Sequence, residues 1–143
     1  MNLKRLTAGQ LMTTQLVTIE HKASLREAAQ RLAEHHIHCL LVPPTDSAAC
    51  AGIITTKDIV QVLCDGEQEL LDQLLVVDVM TSPSVSVQKD FLISDCIKLM
   101  RVSGVRSVPV LDGVKLVGLL SFTDVLKAVA NTQTQGTSGQ AQP

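Results

Sequence analysis

The sequence predicts an α/β fold of the α+β kind, in which one β-α-β-β-α unit occurs twice. Three observations carry this. The string GIITTKD at residues 52–58 returns as GLLSFTD at residues 118–124, 66 positions later. Met12 aligns with Met80 at an offset of 68, laying LMTTQLVTI over VMTSPSVSV and SLREAAQRLAEHHIHCLLV over LISDCIKLMRVSGVRSVPV. Within each copy, apolar residues recur at helical spacing twice and form short extended runs between.

The elements follow in order. LVTI and SVSV read as the first extended run of each copy. The helix after it carries Leu25, Ala28, Ala29 and Leu32 in the first copy and Ile93, Cys96, Ile97 and Met100 in the second. Ser24 and Glu27 have the spacing of a capping box at the first helix start. Two apolar runs come next, CLLV then AGIIT, and VPV then KLVGLL, with Asp112-Gly113 as a tight hairpin turn between the second pair. A last helix closes each copy, with Ile59, Val62 and Leu63 matching Val125, Ala128 and Val129.

These runs divide the chain into repeat 1 at residues 8–64, a helical connector with an acidic start at 65–78, repeat 2 at 79–130 and a disordered tail at 131–143, rich in Gln, Thr and Gly. The drop in offset from 68 to 66 places two extra residues in the first hairpin, in PPTDSAACA. A unit of about 55 residues encloses too little interior to be secure alone, so the two copies are expected to pack face to face.

Composition excludes several function classes. Of 143 residues, 45% are apolar, enough for an ordinary core. The net charge of −2 gives no field to gather nucleic acid or an anionic membrane, and with no Trp or Tyr only Phe91 and Phe122 could stack on a base. No apolar h-region follows the first residues, and no apolar stretch approaches the roughly 18 residues of a membrane span. The four cysteines form no C-x-x-C pair and read as buried, reduced thiols in a cytoplasmic protein. His35, His36 and His38 are spaced by one and two residues, which does not gather three imidazoles on one helix face, so they read as solvated rather than metal-binding. No G-x-S-x-G or Cys-His context supports nucleophilic catalysis.

The repeated string admits two readings. Thr55 sits where a strand ends and a helix begins, and Asp58 lies three residues on, so the pair can serve as a helix cap stabilised by the helix dipole. The same geometry offers free amides and a hydroxyl to a phosphate, and a carboxylate able to accept from vicinal hydroxyls such as those of a ribose. Gly52 and Gly118, lacking a Cβ, leave room for close approach of backbone or ligand. His38 and Arg106 occupy the same position of the two copies. A cation there suits a nucleotide phosphate, and a solvated turn accommodates it equally well.

The doubled unit, GIITTKD and GLLSFTD, with VRSVPVLDGVKLVGLL, resembles a tandem pair of cystathionine-β-synthase (CBS) domains, a Bateman module, over about residues 8 to 130. The resemblance implies pseudo-twofold packing of the repeats and adenine-nucleotide sites in the clefts between them. It places Thr55 and Asp58 in one site and Ser121 and Asp124 in the other, and has each cleft borrow from the other repeat. Ile37, His38 and Cys39 would line the Asp124 site, and Val105, Arg106 and Ser107 the Asp58 site. Ile53 and Leu119 would hold the adenine. Lys57 has Thr123 as its counterpart, so the two sites are expected to differ. The first copy has CLLV where the second has SVPV, and its hairpin is longer, which weakens the case for the Asp124 site.

The sequence therefore points to a non-catalytic regulatory module that binds AMP, ADP or ATP, needs no cofactor, forms a homodimer and signals to a partner protein the residues do not name. Two alternatives stay open: a structural dimerisation module with empty sites, and a sensor of another adenosyl ligand such as S-adenosylmethionine.

Overall fold

The computed structural model of the chain describes residues 2–46, 50–82 and 84–136. Its mixed helices and strands form two compact units, and these do not follow the covalent order of the repeats. One unit is Leu16–Ser84; the other combines Met1–Gln15 with Val85–Pro143. Residues 8–15, assigned above to repeat 1, thus group with the second copy, and residues 79–84 with the first.

In Leu16–Ser84 the run LVTI lies beside strand β1 (Cys39–Val42) through a single parallel bridge, Thr18 to Leu41, rather than a ladder. Helix α2 (Leu25–His35) follows it in sequence, and the Ser24 hydroxyl accepts from the Glu27 amide at 3.1 Å, capping its start. The Glu27 carboxylate itself turns to Arg31 at 2.7 Å, so only half of the expected capping box forms. β1 pairs antiparallel with β2 (Gly52–Thr55), Cys39 opposite Thr55 and Val42 opposite Gly52. Helix α3 (Thr56–Asp65) starts directly from β2. Ile19, Leu25, Leu32, Leu40, Ile54 and Ile59 build the core.

The expected connector is two short helices, α4 (Leu70–Gln73) and α5 (Val76–Val79). It is no mere spacer, because Leu71 and Val76 are buried in the same core. Burying these two side chains is worth about 1.5–3 kcal/mol each, enough to hold the segment against its own repeat. Arg26 on α2 and Asp72 on α4 add an exposed ion pair, which holds the Asp72 carboxyl below the usual carboxylate range.

The other unit begins with a 3-10 turn at Leu3–Arg5 and helix α1 (Ala8–Leu11). Strand β3 (Val87–Gln88) pairs parallel with β4 (Ser107–Asp112), and helix α6 (Ile93–Ser103) lies between them in sequence. β4 pairs antiparallel with β5 (Lys115–Ser121) around the predicted turn, where Gly113 takes φ 67° and the Gln88 side-chain amide bonds both Gly113 backbone groups. Ala8, Val87, Ile93, Cys96, Met100, Val108, Val110 and Leu120 form the core. Helix α7 (Phe122–Gly136) continues past the residue where a tail was expected, because extending a formed helix needs no new nucleus. Residues 137–143 of that tail lie outside the described residues, as do residues 47–49 of the long first hairpin.

Helices α2 and α6 both end on a left-handed residue, and the two are 68 positions apart: Gly104 at φ 71° and His36 at φ 53°. Glycine takes that conformation without strain, whereas a histidine resists it. The Cβ of His36 is therefore accommodated at some cost in stability.

The cysteines divide. Cys96 is buried, which pushes its thiol pKa up, and Cys39 is half-buried, but Cys50 and Cys64 are exposed. The expectation of four buried thiols fails at the last two because Cys50 lies in the first hairpin and Cys64 on the exposed last turn of α3.

Candidate functional site

The two copies of the repeated string each make a strand-to-helix junction. In Leu16–Ser84, Thr55 ends β2 in an extended conformation, and its hydroxyl accepts from the Asp58 amide at 3.2 Å. The Asp58 carboxylate returns the bond through Oδ2, accepting from the Thr55 amide at 2.8 Å. The helix cap foreseen from the spacing is thus fully made. The His38 carbonyl accepts both the Thr56 amide at 2.8 Å and the Thr56 hydroxyl at 3.2 Å, tying the residue before β1 to the helix start.

The other unit repeats the plan with added donors on its carboxylate. Asp124 Oδ2 accepts the Ser121 amide at 2.9 Å and also the Ser121 hydroxyl at 3.0 Å, while the Asp124 amide donates to Ser121 Oγ at 3.2 Å. Asp124 Oδ1 accepts from the Thr13 hydroxyl at 3.0 Å. The Arg106 carbonyl accepts the Phe122 amide at 3.1 Å.

Of the first-turn amides, Thr56 and Asp58 in one copy, and Phe122 and Asp124 in the other, already have acceptors. Among the described residues the amides of Lys57 and Thr123 have none. Each junction therefore keeps one backbone donor for an anion, beside a hydroxyl.

Through these carbonyls the backbone of His38 meets the helix start of its own copy, and that of Arg106 does the same in the other. Ile37 and Val105 are half-buried and precede His38 and Arg106, whose side chains are exposed, as is that of Lys57. Cys39 and Ser107 face Thr55 and Ser121 across their hairpins. The half-buried Ile53 and Leu119 each sit two residues before those hydroxyls.

Sequence reasoning missed two residue pairs. The Thr13 backbone bonds Leu119 in both directions, at 2.8 and 3.0 Å, and Thr81 does the same to Ile53, at 2.9 and 3.0 Å. The methionines before them fill the space the glycines open. A Cβ at Gly118 would lie inside the contact distance of Met12, 2.8 Å from Cγ and 3.1 Å from Cβ. One at Gly52 would meet Met80 Sδ at 2.9 Å. The close approach expected at the glycines is made by the Met12 side chain at Gly118, and by the Met80 side chain together with the Thr81 backbone carbonyl, 3.2 Å away, at Gly52. The signal was present as the repeated Met-Thr at an offset of 68, which served only to set the alignment.

Among the described residues no group of three or more His, Cys, Asp or Glu is placed to hold a metal ion, and no helix is long and apolar enough to cross a membrane.

Comparisons with known proteins agree with this architecture. MK0525 of Methanopyrus kandleri is 26% identical over 127 residues, covering 87% of this chain, and the chain spans 63% of that protein's length. The hexameric CBS-CP12 protein from bloom-forming cyanobacteria superposes with a TM-score of 0.80 at 27% identity, over 93% of this chain and 77% of its own. CBSX2, solved in complex with AMP, shares the fold at a TM-score of 0.76 and 24% identity, over 90% of this chain and 98% of its own. The sequence pattern of the CBS domain matches twice, at residues 8–65 and 76–131, and with most of its length so matched the chain belongs to the CBS domain family.

Proposed function

We propose that the chain is a regulatory module that binds adenine nucleotides at its two strand-to-helix junctions and passes their occupancy to a partner protein. The observation that carries this reading is the doubled junction itself: a hydroxyl, a carboxylate and an unpartnered amide together, in both copies of a CBS domain. Phosphate suits the amide, the hydroxyl of Thr55 or Ser121, and the side-chain nitrogens of His38, Lys57 or Arg106. Ribose hydroxyls suit Asp58 and Asp124, and the aliphatic side chains of Ile53, Leu119, Ile37 and Val105 suit an adenine face. Cys39 and Ser107 flank the same positions. The AMP held by CBSX2 shows that this fold accommodates such a ligand in that protein.

Thermal unfolding with AMP, ADP and ATP tests the reading. A nucleotide at 100 times its Kd adds about 2.7 kcal/mol to folding stability, a rise of several degrees in midpoint. No shift with any of the three at millimolar concentration would favour a structural module with empty sites. A shift with S-adenosylmethionine alone would favour the other adenosyl ligand.

A second copy of the chain is the partner we infer for the outer faces of α3 and α7. Val60 and Leu63 are 49% and 41% exposed, and their counterparts Leu126 and Val129 are 67% and 43% exposed. The same apolar pair thus recurs in both units, leaving each with exposed aliphatic surface that an identical patch on a second copy can cover. Light scattering is expected to give twice the monomer mass at micromolar concentration. A monomer with and without nucleotide would remove the inference.

A further inference from the structure

The two junctions are alike in sequence and unlike in bonding. A carboxylate offers about four acceptor positions on its two oxygens. Asp124 has three donors on it: the Ser121 amide and hydroxyl on Oδ2, and the Thr13 hydroxyl on Oδ1. Asp58 has one, the Thr55 amide on Oδ2, and among the described residues nothing donates to its Oδ1. Thr81 is the counterpart of Thr13 and holds Ile53 through the same two backbone bonds, yet no bond from its hydroxyl to Asp58 forms among the described residues.

A ribose presents two neighbouring hydroxyls and needs two acceptor positions. Asp58 has them open; Asp124 does not, until Thr13 or Ser121 lets go. From this we infer that Thr13 is an internal competitor for the ribose at Asp124, so that the two sites fill in order, Asp58 first. The inference rests on the reading that these carboxylates take the ribose of a nucleotide. Thr13 is suited to the task because its position is fixed by its backbone bonds to Leu119 and not by its side chain. The hydroxyl can therefore be given up without moving the segment. Ser121 is less free, since its oxygen also caps the Asp124 amide.

Calorimetric titration of the full chain with AMP decides the matter, using Asp58→Asn as the background so that the Asp124 site is read alone. Adding Thr13→Val, which keeps the branched shape and removes the donor, is expected to tighten AMP binding by about 3- to 10-fold, the worth of one net hydrogen bond. Thr13→Ala removes the donor differently and is expected to give the same gain. Thr13→Ser retains it and is expected to stay within about twofold of the background. No gain, or a loss, in both donor-free variants overturns the inference while leaving nucleotide binding by the unaltered chain intact. An unaltered, folded chain that takes up none of AMP, ADP and ATP overturns the nucleotide reading itself, and the competitor with it.

Discussion

Replacing Asp58 by Asn is expected to weaken AMP binding by about 10- to 150-fold while moving the unfolding midpoint of the ligand-free protein very little. Two effects compete at this residue. As a cap, Asp58 accepts the Thr55 amide, and Asn retains an oxygen for that bond, so the loss of stability is about 1 kcal/mol or less. As a ribose acceptor, it loses the charge that strengthens two hydrogen bonds, a cost of about 1.5 to 3 kcal/mol in binding. The affinity change therefore exceeds the stability change. Asp124→Asn is expected to cost less affinity, because that carboxylate already accepts from Thr13 and Ser121. Titration calorimetry beside thermal unfolding separates the two. Equal and small affinity losses from both substitutions would leave the repeated string with helix capping alone.

The second large effect is expected at Gly118. A valine there is forced against Met12, whose Cγ and Cβ already lie within 2.8 and 3.1 Å of the place a Cβ would take. Overpacking of this kind costs about 1–3 kcal/mol, against the roughly 0.5–1 kcal/mol regained by removing a glycine from a strand interior. Met12→Ala opens the same space, so Gly118→Val with Met12→Ala is expected to be more stable than the sum of the single changes. Urea unfolding, read as midpoints at unchanged slope, gives the coupling. Strict additivity would show that Met12 and Gly118 do not share that space.

The repeat, the order of its elements and the Thr55–Asp58 and Ser121–Asp124 pairs were legible because each leaves a local mark: helical spacing, short apolar runs, a hydroxyl three residues before a carboxylate. The regrouping of residues 8–15 and 79–84 was not. It arises from contacts such as Thr13 with Leu119, and nothing in the spacing of either segment names the other. Gly118 announced a close approach, but only the fold shows that Met12 makes it. The unequal bonding of Asp58 and Asp124 was hidden too, since Ser121 and Thr55 are near equivalents in sequence, and the difference lies in how the Ser121 hydroxyl turns and in a Thr13 hydroxyl 111 positions away. The two exposed cysteines were misjudged because cysteine is most often buried, and apolar neighbours in sequence do not report which side of a helix faces water.

The grouping of Met1–Gln15 with Val85–Pro143 also sets the order in which the chain can complete itself. Leu16–Ser84 is continuous, so all its contacts become available as soon as that stretch has been synthesised. The bridge between Thr13 and Leu119 closes a loop of more than a hundred residues and has to wait until β5 has been made. Contacts of such long sequence separation slow the search for the native state, and a chain emerging from its N-terminus folds its early contiguous parts first. Residues 8–15 thus find their place only after β5 exists, and until then the outer side of the β5 backbone at Leu119 stands as an unpaired edge.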